Sequence, residues 1–95
     1  MYLGYNQIQV AGEVLTESDL TIPGRATGAV LQAETGSIRY TMDNSTVPNN
    51  TKGMLLVPTL PPEEFLIDDV RRIKFVRNGT TNAVLNIHYF GGRDI

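Results

Sequence analysis

Few residues in this chain could do chemistry, and they are scattered. His88 is the only histidine and there is no cysteine. No thiolate is available to attack a substrate or hold a soft metal, and no Cys–His or His–His pair can be assembled. The densest oxygen clusters are Asp43-Asn44-Ser45 and Asp68-Asp69, and Glu63-Glu64 is an adjacent carboxylate pair. Adjacent residues of a strand face opposite sides, so Glu63 and Glu64 cannot flank one cleft as acid and base. The Asp43 cluster has calcium-type ligands but lacks the alternating acidic loop with its glycine and distal glutamate. Asx turns are the simpler reading, and the same holds for the Asn-x-Thr triplets at Asn44, Asn49 and Asn78.

Binding chemistry is equally sparse. Arg71, Arg72, Lys74 and Arg77 form the one basic stretch. Nucleic-acid recognition wants more clustered charge with interleaved aromatics, so this stretch is read as a solvated or partner-facing sheet surface. Gly24, Gly28 and Gly91-Gly92 lack the spacing and following helix of a phosphate loop. The sequence therefore predicts no catalytic residue, no metal and no cofactor, and a chain that is not an enzyme. Net charge is −2 with both signs interspersed, which argues against a nucleic-acid partner. No segment reaches the ~20 apolar residues of a membrane helix, so no membrane partner is expected. No basic start with an apolar core marks an export signal, so synthesis in a cytoplasm is expected.

The elements that must position these residues read as strands. Apolar and polar residues alternate in Ala29–Glu34, Ser37–Met42 and Ala83–Phe90, the period-two signature of half-buried strands. Further strand candidates are Glu13–Thr16, Leu20–Ile22, Met54–Val57, Glu63–Ile67 and Arg71–Arg77. Pro23-Gly24, Gly36, the prolines at 58, 61 and 62, and Asn78-Gly79 supply turns. Asp43–Gly53 is a long polar loop of the kind that often carries function. No stretch shows a capped helical period. Residues 1–12 form an extended arm or first strand, 13–90 the domain, and 91–95 a tail.

About eight short antiparallel strands in 95 residues predict an all-β, two-sheet sandwich, jelly-roll-like, with pairing order unread. The expected core is Val14, Ile22, Leu31, Ile38, Tyr40, Phe65, Ile67, Ile73, Phe75, Leu85, Ile87 and Tyr89. His88 falls on the opposite side of the last strand, as a surface or interface residue.

From Thr21 to Phe90 the chain resembles small all-β virion proteins of tailed phages. The resemblance lies in an order of strand phrases: Thr21-Ile22-Pro23, Ala29 to Glu34, Ile38 to Asp43, Thr46-Val47-Pro48 to Gly53-Met54, Ile73 to Arg77, and Ala83 to Phe90. It implies a β-sandwich building block of a phage particle, such as a cement or decoration protein or a head or tail accessory. It brings no active-site residues with it, and the two ends of the chain have no counterpart.

The resemblance and the apolar start of the chain together suggest a cement protein on the outer capsid surface. It would bind the phage major capsid protein and itself, as a homodimer or homotrimer. Tyr2, Leu3, Tyr5 and Ile8 of the arm, with Asn44, Val47, Asn49 and Lys52 of the loop, are the expected partner-binding residues. The alternative is a receptor- or glycan-binding sandwich of a head fibre or tail. An aromatic content of 7% without tryptophan weighs against that alternative, because sugars stack on exposed rings.

Overall fold

A computed structural model describes residues 2–91; Met1 and most of the expected tail, residues 92–95, lie outside it. Eight strands form in chain order: β1 (Tyr2–Val10), β2 (Leu15–Thr16), β3 (Ala26–Thr35), β4 (Ile38–Thr41), β5 (Met54–Leu56), β6 (Glu63–Leu66), β7 (Lys74–Arg77) and β8 (Ala83–Gly91). They pair β1 with β8, β2 with β7, β3 with β6 and β4 with β5, all antiparallel. The chain is thus one long two-stranded ribbon. Wrapping that ribbon drops alternate segments into opposite sheets, of order β1-β8-β3-β6 and β2-β7-β4-β5. This is the strand order of a jelly roll.

The core fills the space between the sheets. Ala29, Leu31 and Ala33 of β3 point inward with Ala83, Leu85, Ile87 and Tyr89 of β8. Ile38 and Tyr40 of β4, Phe75 of β7 and Leu56 of β5 face them from the second sheet. Tyr40 and Phe65 meet edge to face across the sheets, with ring centroids 5.7 Å apart. Each fully buried Leu, Ile or Phe contributes roughly 1.5–3 kcal/mol. The Tyr89 hydroxyl donates to Asn6 Oδ1 at 2.8 Å, and the same oxygen accepts the Thr21 amide at 3.0 Å. One side-chain amide therefore joins β8, β1 and the β2–β3 connection.

Several expectations need correction. Leu20–Ile22 is not a strand. Glu17–Asp19 forms a 3-10 turn in which Asp19 accepts the Thr16 amide at 2.9 Å. Short polar side chains here offer the backbone a local alternative to a sheet ladder. Ile67 does not end a strand but opens the helical turn α1 (Ile67–Val70), whose first turn carries Asp68 and Asp69, where carboxylates favour helix starts. Four residues are too short to display a helical period. Val14 is 37% exposed, because Leu15 takes the inward position of β2 and its neighbour must face out. Ile22 and Ile67 pack at the margin of the core. Val10, Leu20, Ala26, Leu56, Val70 and Ala83 are buried core residues outside the expected set.

Candidate functional site

Two regions project chemistry outward, and they lie on opposite faces of the sandwich. The first is the outer face of the β1-β8-β3-β6 sheet. Register places Tyr2, Phe90, Gly28 and Leu66 in one row across it, Tyr5, His88, Val30 and Glu64 in the next, and Gln7, Asn86 and Gln32 in the third. Tyr2 and Tyr5 are three residues apart and would ordinarily point to opposite faces. A bulge between Tyr2 and Gly4 inserts one extra residue, so both face out.

The result is an aromatic cluster. The Tyr2 ring stacks on His88 at 4.2 Å with planes 24° apart. Tyr5 meets His88 edge-on at 5.8 Å, and Tyr2 meets Phe90 edge-on at 6.3 Å. Phe90 lies over Gly28, where a β-carbon would have no room. Tyr2 is 62%, Tyr5 55% and Leu66 71% exposed. Beside the rings runs an amide network. Tyr5 OH donates to Asn86 Oδ1 at 2.5 Å, Gln7 Nε2 to Glu34 Oε1 at 3.0 Å, and Asn86 Nδ2 to Glu34 Oε1 at 2.9 Å. Two adjoining hollows of about 330 and 280 Å³ share Val30 and are bounded by Tyr5, Pro62 and Asn86 on one side and Tyr2, Glu64 and Phe90 on the other.

The second region is the β4–β5 loop, which folds back over the other sheet. Asp43 accepts from the amides of Ser45 and Thr46 and from the Thr46 hydroxyl. Those donors hold its carboxyl well below the usual carboxylate range. Asn44 takes a left-handed φ of 62°, which asparagine tolerates in such a turn. Asn49 and Lys52 bridge in both directions, at 3.0 and 3.2 Å, and Asn49 Oδ1 accepts the Thr51 amide. Arg39 clamps the loop: Nη1 donates to the Gly53 carbonyl at 3.0 Å and Nε to Asn78 Oδ1 at 2.9 Å. Pro48 and Val76 are buried beneath it and line, with Val14, a crevice of about 260 Å³.

The expected residues therefore divide. Tyr2 and Tyr5 come together with His88. Leu3 and Ile8 turn inward and pack against the core, so they offer nothing to a partner while β1 stays in its sheet. Val47 is 55% exposed and Asn44, Asn49 and Lys52 are exposed too, but on the opposite side of the molecule. Sequence reasoning missed Phe90, Val30 and Leu66 as members of the aromatic face. The outward parity of Phe90 in β8 was a usable signal; the row joining it to Leu66 needed the register.

No family model, curated protein or solved structure matches this chain. Among the described residues, no three His, Cys, Asp or Glu side chains are grouped to hold a metal ion. What the aromatic face can do is bury ring area against a partner while the neighbouring amides and Glu34 exchange hydrogen bonds with it.

Proposed function

We propose that this chain is a structural protein of a tailed-phage particle, a cement or decoration subunit that sits on the outer surface of the assembled major capsid lattice. The observation carrying this reading is the outward-facing cluster of exposed Tyr2, Tyr5, His88 and Leu66 around a half-buried Phe90 on one sheet face. Rings of this kind, rigid and amphipathic, are the usual anchors of protein interfaces. The order of strand phrases from Thr21 to Phe90 supports the same reading. A small sandwich gains from a lattice because each contact recurs by symmetry.

The test is co-sedimentation of the purified protein with assembled heads that lack it. Deleting residues 1–8 would remove most of β1 and confuse binding with folding. The Tyr2→Ser/Tyr5→Ser double variant alters only outward side chains. Loss of two anchors should weaken binding by on the order of 2–4 kcal/mol. Unchanged retention of the folded variant, or no retention of the wild type, refutes the reading.

A second reading, a glycan-binding module of a head fibre or tail, is favoured by one arrangement: Tyr5 and His88 lie directly beside Asn86, Gln32 and Glu34. Stacking rings with adjacent amides suit a sugar's apolar face and hydroxyls. Glycan-array binding by a protein that ignores heads would favour it.

A further inference from the structure

We propose that two copies of this chain pair through β1, edge to edge and antiparallel, into one eight-stranded sheet. The sandwich has four sheet edges, and they are not equally protected. β2 has two residues and β5 three, with Pro58 close behind. β6 has four residues, carries Glu63 and Glu64, and follows Pro61-Pro62. Shortness, charge and proline are the devices that keep sheet edges from pairing. β1 has none of these three, and its one bulge, between Tyr2 and Gly4, lies before the Gly4–Val10 stretch that would pair. It runs nine residues, Tyr-Leu-Gly-Tyr-Asn-Gln-Ile-Gln-Val, without a charge or a proline. It is terminal in its sheet, and among the described residues no backbone hydrogen bond reaches its second side.

A second copy fits this edge because the strand is complementary to itself. About a two-fold axis at Gln7, antiparallel pairing sets Gln7 against Gln7, Tyr5 against Gln9, Asn6 against Ile8 and Gly4 against Val10. No like charges meet, and each pair matches outward with outward and inward with inward residues. The isologous contact closes on itself, as a two-fold dimer requires. Both aromatic clusters then lie on one continuous face, which would let a dimer hold two equivalent sites at once. The inference does not rest on the virion reading, since it concerns the isolated chain.

Sedimentation equilibrium from micromolar to millimolar protein should show the mass rising from that of the 10.5 kDa chain to twice that value. Gln7→Lys and Gln7→Glu each place like charges at the axis and should weaken dimerisation by about tenfold or more. Mixing the two variants should restore it. Gln7 also donates to Glu34 and Asn86, so an independent reading is useful. The chain has no native cysteine; Gln7→Cys should cross-link under mild oxidation far faster than a Thr59→Cys control. A wild type that stays monomeric, charge variants that dimerise as it does, equal cross-linking rates, or β1 amides protected only when heads are added would each overturn the proposal.

Discussion

Gly28 is the most informative position to perturb. Its φ is not among the positive values of this chain, so glycine is there for space rather than for conformation. A β-carbon at position 28 would lie 2.7 Å from Phe90 Cε1, closer still to Cζ, and 3.0 Å from the Phe65 carbonyl oxygen. Gly28→Ala brings two opposed effects. Alanine restricts the unfolded chain and is worth about 0.5–1 kcal/mol in a strand. Overpacking costs about 1–3 kcal/mol, about 2 kcal/mol here, because two ring atoms and a backbone carbonyl crowd the added carbon even though the half-buried Phe90 ring can swing outward. The net expectation is a loss of about 1 kcal/mol. In a Phe90→Ala background the ring is gone and only the Phe65 carbonyl remains close. There the same substitution should be neutral or stabilising by a few tenths of a kcal/mol, giving a coupling energy of about 1–2 kcal/mol. Urea unfolding of all four proteins, at constant m, reads the cycle directly. Two results refute the reasoning: additivity within about 0.5 kcal/mol, or a Gly28→Ala protein as stable as its parent.

Three further outcomes follow from the same geometry. Burial pushes the Tyr89 phenol up to about 12; the folded value exceeds the unfolded one, so stability is complete below pH 10 and falls as pH climbs from about 10 to about 12, by on the order of 2 kcal/mol. Urea midpoints against pH should show this fall, and Tyr89→Phe should flatten it while losing about 1 kcal/mol at neutral pH with the Asn6 bond. The Asp43 carboxyl is lowered, so the turn it caps holds above the ordinary carboxylate range near pH 4 and loosens as pH drops below it. Amide exchange at Ser45 and Thr46 should rise in acid, and in Asp43→Ala already at neutral pH, with β3 and β8 unaffected. Arg39→Met removes the clamp between Gly53 and Asn78 and should cost about 1–3 kcal/mol; Arg39→Lys, lacking the planar fork, should restore little of it.

Alternation along the chain was enough to place β3, β4 and β8 and to name Leu31, Ile38, Tyr40, Leu85, Ile87 and Tyr89 as core, because in a strand the side chain's face follows from its parity alone. Turn residues such as Asn78-Gly79 were legible for a similar reason: their backbone preferences are local. Local competition was harder to see. Asp19 bonding to the Thr16 amide and the single helical turn at Ile67–Val70 leave no periodic trace. The candidate site depended on information no window contains. Tyr2 joins Tyr5 because β1 bulges against β8, Leu66 joins Phe90 because both pair with Gly28, and the loop of Val47 and Asn49 lies on the far side because β4 and β5 belong to the other sheet. Parity is a property of one strand; neighbourhood is a property of hydrogen bonds between strands far apart in the chain, and those exist only once the ribbon has wrapped.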